Sequence, residues 1–105
     1  MTTSNTQRAL TVLGDPTRRA IFERLASGPL AVGALADGLP VSRSAVSQHL
    51  AALKEVGLVT NSIEGSRHVY EIDPAALGEL RKWLDQFWAV GLERLQSDIE
   101  DKSWP

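Results

Sequence analysis

The spacing of apolar positions shifts from helical to strand-like and back once along this chain, and those shifts outline its elements. Between about Ser4 and Leu13, the residues Ala9, Leu10, Val12 and Leu13 predict a first helix, which Gly14 ends. Asp15-Pro16 opens the next helix. The aspartate accepts orphan N–H groups, and proline at the first helical position has no bond to lose. That helix sets Ala20, Ile21, Phe22 and Leu25 toward one side, with Arg18, Arg19, Glu23 and Arg24 around the rest, and Ser27-Gly28-Pro29 stops it. A short helix over about Val32 to Asp37 offers Leu35 and Ala36 to a core. After the Gly38-Leu39-Pro40 turn, Ser42 caps a helix from Arg43 to about Glu55. Its apolar stripe, Val46, Leu50 and Leu53, recurs at four and three, and Gly57 suits the left-handed residue that closes it.

The period then becomes two. Leu58 to Ile63 and Arg67 to Ile72 are rich in β-branched and aromatic residues, and Glu64-Gly65-Ser66 separates them, which predicts a β-hairpin. Asp73-Pro74 starts a last helix, over about 74–100, with Leu77, Leu80, Leu84, Phe87 and Leu95 along one side. Trp83 and Trp88 lie nearby, and the polar tail from Asp98 is expected to fray, most of all over 101–105. The fold class is therefore mainly α with a β-hairpin wing. Three helices followed by a hairpin is the order of a winged helix-turn-helix, in which one helix braces a second whose outer face enters a major groove.

That outer face is readable. Opposite Val46 and Leu50 lie Ser44, Ser47, Gln48 and Ala51, flanked by Arg43 and Lys54. Short and amide side chains let a backbone approach base edges; Gln48 suits adenine, and Arg43 suits guanine or a phosphate. The same composition also describes an ordinary solvated helix face. Arg67 and His68 follow the hairpin turn, where a wing lays cations on backbone or minor groove, while Glu64 works against this. Arg18 and Arg19 serve either phosphates or surface ion pairs. His49 flanks the core stripe, as a half-buried packing residue or a phosphate contact.

Composition narrows the function more than it identifies it. The 105 residues are 43% hydrophobic and 23% charged, a globular composition with room for one domain. There is no cysteine, so disulfides, thiolate metal sites and cysteine nucleophiles are excluded together. No Gly-rich phosphate loop or H-E-x-x-H sequence is present, and neither histidine has a serine and a carboxylate arranged around it. An enzyme is not expected, nor is any cofactor. The polar start, Met1 to Arg8, predicts no signal peptide, and no apolar run approaches the roughly 18 residues of a membrane span. A cytoplasmic location follows as the expectation. The formal net charge of −2 gives no sign of a nucleic-acid partner, and a winged helix that binds only protein stays open as the alternative.

Several motifs resemble the ArsR/SmtB-type winged-helix repressors. They are Leu13-Gly14-Asp15-Pro16-Thr17-Arg18-Arg19-Ala20-Ile21, then Ser42-Arg43-Ser44-Ala45-Val46-Ser47-Gln48-His49-Leu50, then Leu53-Lys54-Glu55-Val56-Gly57-Leu58-Val59. The wing Glu64-Gly65-Ser66-Arg67 with Val69-Tyr70 also matches, so the likeness extends from about Arg8 to Leu95. It implies a homodimeric repressor, joined through its terminal helices, that binds a near-palindromic operator and is released by a signal. One metal-sensing class of that family places cysteines on the short helix before the recognition helix, where this chain has Ala31 and Gly33. Another uses Asp and His on the last helix, where this chain has Asp85 but no histidine. The likeness is thus to a non-metal branch, with a small organic inducer or a protein partner as the releasing signal. On the last helix, Leu80, Trp83, Leu84, Phe87, Trp88 and Leu95 exceed what one small core requires. Their types favour a dimer seam over core packing alone. A ligand pocket lined by the tryptophans is the other reading.

Overall fold

The computed structural model describes residues 3–101, with helices α1 (Thr3–Leu13), α2 (Pro16–Leu25), α3 (Val32–Asp37), α4 (Arg43–Glu55) and α5 (Pro74–Asp101). Strands β1 (Leu30–Ala31), β2 (Val59–Glu64) and β3 (Arg67–Ile72) form one antiparallel sheet in the order β1-β3-β2. The α2 start follows the capping logic. The Asp15 carboxylate accepts the N–H groups of Thr17 and Arg18 at 2.9 and 3.0 Å, and Pro16 occupies the first turn. The side chains of Arg18 and Arg19 donate backward to the carbonyls of Val12 and Leu13, so they close α1 as α2 begins.

α4 ends in a Schellman turn. Gly57, at φ 81°, donates to the Lys54 carbonyl, and the Leu58 N–H reaches the Leu53 carbonyl at 3.0 Å. Leu53 and Leu58 are both fully buried, which completes the apolar contact of this motif and fixes the direction in which β2 leaves the helix. Leu58 therefore belongs to the turn, and the first hairpin strand starts one residue later than its apolar run suggests.

The core lies where α1, α2, α3 and α4 meet the base of the hairpin: Ala9, Ile21, Leu25, Leu35, Val46, Leu50, Leu53, Leu58 and Val59, closed by Ala76. Every apolar stripe read from the sequence on α2, α3 and α4 supplies at least one of these. Two features were not expected. β1 pairs Leu30 with Tyr70 and Ala31 with Val69, tying the start of α3 to the wing. α5 also stays helical through Asp98 to Asp101, past the point where the polar tail was expected to fray, while 102–105 lie outside the described residues. At 28 residues it is about 42 Å long. Among the described residues no helix is long and apolar enough to cross a membrane.

Candidate nucleic-acid interface

The burial pattern splits α4 cleanly. Val46, Leu50 and Leu53 are fully buried, whereas Arg43, Ser44, Ser47, Gln48, Ala51 and Lys54 are all exposed. The Ser42 hydroxyl accepts the Ala45 N–H at 3.1 Å, which fixes the first turn and with it the direction of Arg43 and Ser44. α3 packs beneath α4 through Leu35 and leaves the outer face of α4 uncovered. Glu55 is exposed as well and puts one carboxylate at the far end of this helix.

The wing stands beside that face. In the β2–β3 register Ile63 faces His68, Asn61 faces Tyr70 and Glu64 faces Arg67, so His68 and Tyr70 share one side of the hairpin and Arg67 takes the other. Between α3, the start of α4 and the hairpin tip lies a groove of about 740 Å³. Arg43 and Ser47 line it from α4, Ser66, Arg67, His68 and Tyr70 from the hairpin, and Asp37 from α3. Two arginines from distant stretches of sequence, Arg43 and Arg67, therefore border one groove together with His68.

Not every expected DNA residue joins them. Arg18 is half-buried and gives its Nε to the Val12 carbonyl at 2.7 Å, the structural one of its two sequence readings. His49 is half-buried on the side of α4 that faces the α2 cap, away from Gln48. The N–H of Arg18, then that of Thr17, and the charges of Arg18 and His49 hold the Asp15 carboxyl below the ordinary aspartate value, against a partial desolvation acting the other way. The sequence reading overlooked Tyr70, Ser66 and Asp37 as groove residues. Alternation along β3 was the signal that placed Tyr70 on the side of His68. It also overlooked Ile63, which is 66% exposed on the wing although its residue type suggests core.

α5 presents a second surface. Of nine large hydrophobic residues left exposed among the described residues, eight lie on this helix: Leu77, Leu84, Phe87, Trp88, Val90, Leu92, Leu95 and Ile99. Leu80 differs from the rest of the expected seam, since it packs against the core of its own chain. Trp83 is half-buried and meets Phe87 edge to face, with ring centroids 4.7 Å apart. A shallow groove of about 700 Å³ runs past Leu77, Leu84, Phe87 and Trp88, and Trp83 does not line it. The picture of a pocket between tryptophans is therefore not what α5 forms within one chain.

Comparison with known proteins agrees with this geometry. A helix-turn-helix domain family matches residues 13–61. The chain is 59% identical over 85 residues, 81% of its length and 79% of the other's, to the HTH-type transcriptional regulator Rv2034 of Mycobacterium tuberculosis. Among solved structures, an ArsR-like transcriptional regulator from Rhodococcus sp. RHA1 superposes with a TM-score of 0.75 at 29% identity, over 96% of each chain. A homodimeric winged helix-turn-helix DNA-binding domain from Mycobacterium bovis, solved by NMR, gives 0.65 at 30% identity, covering 90% of this chain and 84% of that one.

Proposed function

Because this chain belongs to the ArsR-type winged-helix transcriptional regulators, and is a DNA-binding regulator rather than an enzyme, we propose that it acts as a homodimeric repressor of a near-palindromic operator. The protein-only alternative loses its ground with that membership. The observation that carries the reading is α4, whose outer face is exposed from Arg43 to Lys54 over a fully buried inner stripe. Such a helix enters a major groove with Ser44, Ser47 and Gln48 toward base edges, while Arg43, Lys54 and the wing residues Arg67 and His68 meet the backbone. Arg18 and His49 support the scaffold of this interface from behind. One recognition helix reads one half-site, so two copies are needed, and the apolar face of α5 supplies the seam in this proposal. The whole chain then works as one DNA-binding unit with its last helix as the dimerisation element.

The donor inventory does not fit a transition-metal sensor. Cysteine is absent, positions 31 and 33 are alanine and glycine, and α5 has no histidine. Among the described residues no group of three or more potential ligands converges on one point. The releasing signal in this proposal is therefore a small organic molecule, a protein partner, or a fall in repressor concentration. The deciding experiment on DNA reading is Gln48→Ala against a panel of operator variants. Loss of discrimination at one base position per half-site, on the order of 1–3 kcal/mol, is the expected result. A variant with the parent's specificity at every position would remove α4 as the reading helix.

A further inference from the structure

Gly33 has a second role besides its place in α3. A Cβ built on it falls 2.8 Å from Arg43 Nη2 and 3.1 Å from Cζ, so the guanidinium of Arg43 lies on space that any other residue would fill. Arg43 is the first residue of α4, and its guanidinium makes no ion pair or hydrogen bond among the described residues. It is thus laid across α3, at one wall of the groove whose other wall carries Arg67 and His68. Gly33 does not have the left-handed backbone that would demand glycine for its own sake.

We propose that this groove is a phosphodiester clamp for the operator backbone, with Gly33 as the positioning residue that seats Arg43 in it. The inference rests on the DNA-binding reading given above. Because Gly33 has no Cβ, the Arg43 guanidinium has room to lie against α3 at the groove wall, a position that an added methyl would deny it. Arg43 and Arg67 both line the groove, so a phosphate entering there meets cations from the recognition helix and from the wing together. Ser47, Ser66 and Tyr70 also line it, and Asp37 is the one carboxylate lining the groove. The same packing recurs at Gly38, whose Cβ would overlap the Arg24 guanidinium, but Arg24 does not line the groove.

The geometry makes the test clean. What an added methyl would strike is the far end of a flexible side chain, so α3 need not move, and the effect falls on Arg43 alone. Operator binding by fluorescence anisotropy across a salt series, on the full chain, compares the parent with Gly33→Ala, Arg43→Ala, Arg67→Ala and the Gly33→Ala/Arg43→Ala double variant. Two phosphates per dimer are lost in Arg43→Ala and likewise in Arg67→Ala, so each flattens the log–log salt slope by about 1.8. Gly33→Ala lowers affinity about three- to tenfold and flattens the slope in the same direction, with a melting temperature equal to or above the parent's because alanine is the better helix former. The double variant behaves as Arg43→Ala alone. Parent-like affinity and slope in Gly33→Ala, or a double variant that loses the product of both single effects, overturns the positioning role. A parent that binds no duplex at any salt concentration overturns the DNA-binding reading instead, so the parent's own titration tells the two failures apart.

Discussion

Trp88→Ala and Leu84→Asp test whether α5 joins two copies. Trp88 is 71% exposed and Leu84 58%, so neither holds its own chain together. Taking about 250 Å² for a tryptophan side chain, the exposed part of Trp88 is about 180 Å². At about 25 cal/mol per Å², covering it completely is worth about 4.5 kcal/mol. Interfaces convert only part of such area, because association also costs rotational freedom and side-chain ordering. About 2 kcal/mol per copy is a fair share for a central aromatic. A two-fold seam counts every residue twice, so Trp88→Ala weakens the dimer by about 4 kcal/mol, about a thousandfold in dissociation constant. Leu84→Asp adds two carboxylates to the same seam and acts at least as strongly. Sedimentation equilibrium at about 10 µM protein shows monomer for both variants, with parent-like helical circular dichroism, and operator affinity falls because a lone half-site holds weakly. Undisturbed dimers in both variants would refute the assignment of α5 to the seam.

Two further expectations concern the α2 cap and the releasing signal. Asp15 titrates lower in the folded chain than in the unfolded one, so its contribution is complete above the ordinary aspartate range and disappears as pH falls through the folded value. Asp15→Asn keeps a capping oxygen without the charge, so melting temperature followed from pH 6 down to pH 3 declines less steeply than in the parent; parallel curves would contradict this. Operator-bound protein titrated with zinc, nickel, cadmium or arsenite, and separately with peroxide, keeps its DNA, because no thiolate is available and imidazoles are too few. Stoichiometric release at micromolar concentration by any of them would end the non-metal, non-redox reading.

The legible parts of this chain are those where a local rule and the tertiary packing agree. Asp15-Pro16, Ser42 and Gly57 mark element boundaries because each satisfies orphan backbone groups with its own chemistry, and the structure uses each of them so. The α4 stripe was equally plain, since three buried residues at four and three spacing leave one orientation for the exposed face. β1 could not be read, because two residues carry no periodicity and their pairing with Tyr70 and Val69 is purely tertiary. Arg18 shows the same limit: an arginine in a basic-looking turn has several uses, and only the position of the Val12 carbonyl selects one. The seat of Arg43 on Gly33 joins residues ten apart across a turn, and nothing in either element alone announces it.

The charge of −2 loses its force as an objection once the charges are placed on the fold. α5 carries six carboxylates against three cations, so the acidic excess belongs to the last helix. Every residue from Leu84 to Ile99 is exposed, and this stretch stands clear of the core that α2, α3 and α4 share. At physiological salt, exposed charges separated by more than about 8 Å are largely screened from one another. A helix about 42 Å long therefore keeps most of its carboxylates electrically remote from the wing and from the start of α4. In the proposed complex a phosphate meets Arg43, Arg67 and His68 around one groove, with Lys54 farther along α4. Few cations mean weak non-specific attraction, since that term grows with the number of phosphates neutralised. Under the proposed function, selective binding then draws on base edges met by Ser44, Ser47 and Gln48, and on two half-sites coupled through α5. On the same proposal, the acidic stretch of α5 adds no attraction for stray duplex, and its exposed apolar face joins the second copy.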